Sequence, residues 1–378
     1  MYRFHPSVQW QRGYPDKQQI VSQVRQLWQR YGLDAKTKFN FKVDKAYQDD
    51  RGRWIINNPA NGRYEGLIAA VGTCGDVKMP PLPGMDKFKG EICHSSELTG
   101  YAVPFDPALQ VKMVYLTVYS KNAKGKKMAI IGGGASAVEA LEFASASGAS
   151  KTSILSRSDK WIIPRNIIVD TLLSLNIFGQ QTMLSFIPQF LLRKLFYRDL
   201  EDLSPSSDKG LFMDTPMVNS DVMHKLRSGE ADWVRGDIVS VTEKGVIVNR
   251  RARGVPKDGP GHEELIPADI IVMATGFTRP SLTFLPGECF AKPYGPPNWY
   301  LQTFPTSHAS VSGLNCTYVS AIGTVGNWHI GIYTRILLMF LVDPLTRPRP
   351  FWMRRWIDMT RVLKATSPTG AFDFFTYL

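Results

Sequence analysis

Residues 126 to 143, "KKMAIIGGGASAVEALEF", read as a short apolar strand, a glycine-rich turn and the start of a helix. Holding the pyrophosphate of a dinucleotide requires backbone N–H groups at a helix start, on a chain that approaches closely with no Cβ in the way. Gly132, Gly134 and Ala137 fit the spacing G-x-G-x-x-A, with Gly133, Ala135 and Ser136 between them. The hexapeptide alone is a weak signal; a strand before it and a helix after it make it specific. The strand is expected over Met128 to Ile131, and the helix runs to about Ser147.

The following strand, "TSILSR", decides which dinucleotide is held. An NAD site usually carries Asp or Glu at its end for the ribose 2′-hydroxyl, whereas this sequence offers Ser156, Arg157 and Ser158. A guanidinium there suits a 2′-phosphate through a charge-assisted pair. NADPH is therefore expected over NADH.

Two more segments place this turn in a larger pattern. "FKGEICHSSEL", residues 88 to 98, has the spacing F-x-G-x-x-x-H through Phe88, Gly90 and His94. "DIIVMATGF" sets Asp269 ahead of Ala274, Thr275, Gly276 and Phe277. Together with the glycine turn, these motifs resemble the flavin-containing and Baeyer–Villiger monooxygenases, with Leu98 standing where that family usually has an aromatic residue.

The resemblance implies an α/β, two-dinucleotide-binding-domain flavoprotein. Its Rossmann-like NADPH domain, residues 121–267, is inserted in an FAD-type domain, residues 1–120 and 268–378. In the family an earlier fingerprint binds FAD. Nothing in residues 1 to 125 reads as strand, G-x-G-x-x-G and helix, so the FAD domain is expected to be N-terminally incomplete.

The implied activity is an NADPH- and FAD-dependent oxygenation of a small organic substrate by O₂ through a flavin C4a-hydroperoxide. Its outcome is N- or S-oxygenation or Baeyer–Villiger insertion, with a role in secondary metabolism. The alternative is a catalytically inactive nucleotide-binding relative. Thr73, Thr275 and Gly276 lie at strand ends expected to face the cofactor cleft, where a hydroxyl meets nucleotide or simply caps the strand. The turn "GTVGN", Gly323 to Asn327, precedes a long helix and either aims its N–H groups at the flavin or is capped by Asn327. His94 and His329 are expected to be structural.

Composition bounds the rest. The 378 residues suffice for two domains, and 44% hydrophobic with 21% charged residues argues for a globular chain. The net charge of +12 is spread along the chain, and no zinc-finger, basic-zipper or RNA-recognition spacing accompanies it, so nucleic acid is not an expected partner. Cys74, Cys93, Cys289 and Cys316 form no C-x-x-C pair, which removes a redox dithiol, a flavin disulfide reductase and a cysteine zinc site. No tyrosine is followed by lysine four positions later, which disfavours a short-chain dehydrogenase. "MYRFHPSVQW" lacks a signal-peptide core and no apolar run reaches the ~18 residues of a membrane span, so a cytoplasmic location is expected.

Around the motifs, Ile20, Val24, Leu27 and Tyr31 form a helical stripe closed by Gly32. "TKFNFKVDKAY" and "WIINN" read as a strand meander, and "YEGLIAAVGTCG" as a buried strand. Residues 162 to 200 read as packed helices that, from Trp161 on, line a substrate entrance or belong to the core. "ADWVRGDIVSVTEKGVIVN" reads as a second meander. "RPRPFWMRRWIDMTRVLK" spaces Trp352, Trp356, Met359 and Leu363 on one helical face beside Arg354, Arg355 and Arg361. Such a face lies on an anionic membrane or packs on the protein with its arginines solvated, and the second is expected.

Overall fold

The strand, glycine turn and helix are present as expected, at the centre of a seven-stranded sheet. The computed structural model describes residues 17–98, 123–164, 186–206, 208–211, 216–314, 316–317 and 323–366, without the side chains of 17, 323–329 and 363–366. In chain order the strands are β1 (Ala46–Gln48), β2 (Trp54–Ile56), β3 (Leu67–Ala69), β4 (Glu91–His94) and β5 (Lys127–Ile131). After helix α2 (Ala135–Ala146), which α1 (Lys17–Arg30) precedes, come β6 (Lys151–Ser156), β7 (Ile162–Ile163), β8 (Met217–Val218) and β9 (Ala231–Thr242). The last four are β10 (Gly245–Arg250), β11 (His262–Pro267), β12 (Ile270–Met273) and β13 (Val311–Gly313).

The large sheet has the order β11-β10-β9-β6-β5-β12-β4. From β4 to the first half of β9 all neighbours are parallel; the second half of β9 turns into an antiparallel meander with β10 and β11. Side chains alternate across it, as the period of two requires. Met128, Ile130, Ile154 and Val272 pack with Ala137, Val138 and Leu141 of α2 on one face. Ala129, Ile131, Leu155, Ile271 and Met273 pack with Val241, Val246 and Val248 of the meander on the other. Coverage on both faces explains why the parallel strands are near-continuous apolar runs. The sheet reaches past the expected range 121–267 at both ends, because β4 and β12 hydrogen-bond into it.

The remaining strands are short. β3 and β13 form a parallel pair, and β1 and β2 a hairpin. Their core gathers Trp54, Ala69, Leu285, Trp299 and Val311, with the Trp54 indole donating to Ser310 Oγ at 3.0 Å. The long helix Gly323–Val342 packs Tyr333, Leu337 and Phe340 on Phe304, Leu314 and Met353.

Four local expectations are corrected. Residues 37–45 form no strand: Asn40 takes φ +54°, and further on the Asn57 side chain accepts from Asp44 N and Lys45 N and donates to Lys42 O. Residues 162–163 are a strand paired with β8, not helix; helical structure is found at Phe186–Leu203, and residues 165–185 lie outside the described set. β3 is only half buried, with Ile68 exposed. Gly323–Asn327 is the first turn of the long helix rather than a turn before it.

Candidate functional site

The cradle at the end of β5 is built from glycines for a steric reason. Gly132 has φ +134°, and a Cβ there would stand 2.2 Å from the Ala274 carbonyl oxygen. A Cβ at Gly133 would meet Ser156 Oγ at 2.0 Å. Gly132 thus threads between the ends of β6 and β12, donating to Leu155 O at 3.0 Å. Around Gly134, by contrast, a Cβ would meet nothing within 4 Å. Gly134 is the N-cap of α2, makes no side-chain cap, and no acid occupies the first turn. The opening therefore presents backbone N–H groups and a positive helix end to approaching anions, with Ala135 and Ser136 in the first turn and Ala137 buried beneath it. These features fit the pyrophosphate of a dinucleotide.

At the end of β6 the serine and the arginine part ways. Ser156 is buried and its hydroxyl donates to Ser158 O at 2.8 Å, so it shapes the loop. The Arg157 side chain is exposed and has no ion pair among the described residues. Its backbone is fixed from behind: Arg251 donates to Arg157 O at 2.6 Å and to Val255 O at 2.7 Å. Arg251 is itself buried and paired with Asp237 at 2.8 Å. A second ion pair, Arg235 with Asp159, ties the same loop two residues on, while the Arg235 guanidinium also reaches Asp202 O. Sequence reading missed this quartet, since no local spacing links Arg251 to residue 157.

The F-x-G-x-x-x-H motif acts on β12 through β4. A Cβ at Gly90 would stand 2.1 Å from Asp269 O, so only glycine lets the strand start this close. Four residues on, His94 is fully buried; its Nε2 lies 3.1 Å from Gly276 O and its Nδ1 accepts from Ser96 N–H at 3.2 Å. A carbonyl only accepts and a backbone amide only donates, so Nε2 carries the proton. Glu97 closes a capping box by accepting from His94 N at 3.0 Å, and the Phe277 ring meets the imidazole edge-on at 5.0 Å. His94 therefore positions the Ala274–Phe277 segment, and Gly276 can supply its carbonyl because it takes φ +81°. Thr275 Oγ1 donates to Lys78 O, which fastens β12 to the crossing at residue 78. Thr73 is exposed beyond the end of β3, with Cys74 Sγ 3.9 Å away. The Asn327 and His329 side chains lie outside the described set.

Between α2 and this junction runs a cleft of about 220 Å³, walled by Ser95, Ser96, Ser136, Glu139, Phe143 and Phe277. Burial, and then the neighbouring Glu142 carboxylate, push the Glu139 carboxyl up from its ordinary value. A carboxyl raised in the folded state favours folding while it is protonated and loses that contribution as pH rises through its folded pKa. Glu139→Gln is accordingly expected to stabilise the protein at pH 7 and to leave it unchanged below about pH 4, the unfolded carboxylate range, as read by urea midpoints at the two pH values. An equal effect at both would show that charge is not the cause. The buried thiols offer no alternative chemistry: burial pushes Cys93 and Cys316 up to about 12 and Cys289 up to about 11. No cluster among the described residues has the makings of a metal site.

A Rossmann-type parallel sheet carrying the cradle, together with the separate parallel pair β3 and β13, agrees with a two-dinucleotide-binding-domain flavoprotein fold. Comparison with known proteins gives the same class. The protein OTEMO, solved in complex with FAD and NADP, superposes with a TM-score of 0.63 over 97% of this chain and 78% of its own, at 17% identity. A FAD-binding monooxygenase of Aspergillus niger is 26% identical over 178 residues, 44% of this chain and 26% of that protein. A Baeyer–Villiger monooxygenase of Pseudomonas aeruginosa is 23% identical over 167 residues, 43% and 28% of the two chains. The chain thus spans under a third of the length of these two relatives, and it resembles the flavin-dependent monooxygenases in both sequence and fold. No family model matches it.

Proposed function

We propose that this chain is an NADPH- and FAD-dependent monooxygenase that oxygenates a small organic molecule with O₂, by N- or S-oxygenation or by Baeyer–Villiger insertion. The observation that carries the reading is the pairing of the open Gly132–Gly134 cradle with an unpaired Arg157 held at the end of β6. Residues 121–267 form the NADPH unit, with Gly132, Gly133, Gly134, Ala135 and Ser136 on the pyrophosphate and Arg157 on the 2′-phosphate. Ser156 and Ala137 act behind them, by closing the loop and seating the helix.

The FAD side consists of residues 1–120 and 268–378. There the parallel pair β3 and β13 leads at its C-terminal end to the Gly72 turn, φ +81°, and Thr73, and onward to the start of the long helix at Gly323. Ligands of open parallel sheets sit at that end. Thr73, Gly276 and Asn327 would border the group, and the Thr275 hydroxyl, already given to Lys78 O, would keep the segment in place. Bound FAD supplies the electron transfer and oxygen chemistry that no side chain can. The work left to the protein is to hold the NADPH phosphates, to fix the junction through His94, and to align the two units.

The test is the flavin content of the purified chain after incubation with excess FAD, followed by NADPH consumption under air. Stoichiometric flavin with substrate-stimulated NADPH consumption is expected. A colourless protein that binds NADPH alone would instead be a catalytically inactive nucleotide-binding relative.

A further inference from the structure

The end of the described chain carries an apolar surface that the proposed chemistry leaves unused. Along Gly323–Val342 and Pro350–Thr366, the inward residues Leu337, Phe340, Met353 and Ile357 are buried. The outward ones are not: Leu345 is 94%, Val342 76% and Trp352 64% exposed, and Leu338, Phe351 and Met359 are also exposed. The link between the helices is folded back rather than loose, since Thr346 Oγ1 donates to Met339 O at 3.0 Å and Arg347 Nε donates to Phe340 O. Val342 and Leu345 thus stand at the turn between the two helices, and Phe351 and Trp352 in the first turn of the second. The helix face expected to pack on the protein is divided instead: Trp356 is partly buried, Trp352 and Met359 are outside, and the Leu363 side chain lies beyond the described set.

The charge around this corner is one-sided. Between residues 330 and 362 the sequence holds Arg335, Arg347, Arg349, Arg354, Arg355 and Arg361 against Asp343 and Asp358 alone. Both acids are engaged: Asp343 caps Leu345 N at 2.9 Å, and Asp358 accepts from Tyr294 OH at 3.2 Å. Arg335, Arg349 and Arg355 have no ion pair among the described residues, and Arg355 lies over the Phe351 ring at 5.2 Å. A notch of about 290 Å³ opens here, walled by Tyr300, Pro348, Trp352, Trp356 and Met359, with Arg355 as its cation.

We propose that this corner docks on the surface of an anionic lipid bilayer. Exposed Leu, Val, Phe and Trp side chains insert at the headgroup boundary, and arginines flanking them meet lipid phosphates, which is the pattern of an interfacial rather than a spanning segment. No described helix is long and apolar enough to cross a membrane. A second copy of this chain fits less well. A two-fold contact brings the same patch against itself, so one net positive surface would face another.

The test is co-sedimentation of the full chain with vesicles of phosphatidylcholine alone and of phosphatidylcholine mixed about equally with phosphatidylserine. The partition coefficient is expected to be at least ~10-fold higher on the mixed vesicles and to fall as salt is raised. Leu345→Glu and Trp352→Glu, at positions open to solvent, are expected to lower binding at least ~10-fold on the mixed vesicles with unchanged far-ultraviolet circular dichroism. Arg349→Gln with Arg355→Gln is expected to reduce the preference for the anionic vesicles. Absence of binding to the mixed vesicles would overturn the proposal, as would binding that both Glu variants leave intact. A dimer in solution dispersed by Trp352→Glu, with no vesicle binding, would assign the corner to self-association instead. None of these readouts depends on flavin or NADPH.

Discussion

His94→Ala is expected to lower the stability of the protein by about 2–4 kcal/mol, read as a fall in the urea midpoint at constant slope. The change removes one of two donors to Gly276 O, the other being Lys78 N–H at 2.9 Å, together with the acceptor of Ser96 N–H, and it empties a fully buried imidazole site. Each lost hydrogen bond costs about 0.5–1.5 kcal/mol, and the cavity beside Phe277 adds to it. His94→Gln, whose amide can still donate toward Gly276 O, is expected to lose less. NADPH binding should weaken alongside, since the Ala274 carbonyl that packs on Gly132 lies two residues from Gly276. A loss below about 1 kcal/mol would mean that these bonds form equally well with water and that the motif histidine does not hold the junction.

What the sequence made legible was local. The glycine cradle could be read because its spacing is recognisable and because apolar runs on either side announce a strand and a helix. Gly90 and Gly132 look alike in sequence, yet each is demanded by a backbone carbonyl from a distant segment, Asp269 and Ala274. That reason appears only once β12 is laid between β4 and β5. Residues 37–45 alternate like a strand, but the Asn57 side chain takes backbone groups of Lys42, Asp44 and Lys45, a competition that pattern reading does not register. The same distance hides the network behind Arg157. Arg251 acts from 94 residues away, and its partner Asp237 from another strand. Thr275 was legible as a strand-end hydroxyl, but its acceptor, Lys78 O, lies 197 residues upstream.

Arg157→Ala is expected to weaken NADPH binding about 10- to 100-fold and to leave NADH binding unchanged, measured as two dissociation constants by quenching of protein fluorescence. A hydrogen bond to a charged group contributes about 1.5–3 kcal/mol, and the guanidinium here is exposed, so part of its attraction to a 2′-phosphate is screened by solvent. Arg157→Lys keeps the charge but not the paired donors, and should fall between the two. The selectivity also depends on where the arginine is held. Arg251→Met removes the donor to Arg157 O and leaves the half-buried Asp237 with Asp258 N–H but without its cation, so it is expected to lose stability by about 2–3 kcal/mol together with nucleotide preference. The two variants therefore separate recognition from support: the first changes the NADPH to NADH ratio at constant stability, whereas the second changes both. If Arg157→Ala left the ratio unchanged, the 2′-phosphate would have to be read elsewhere, and the assignment of this loop to NADPH would fall with it.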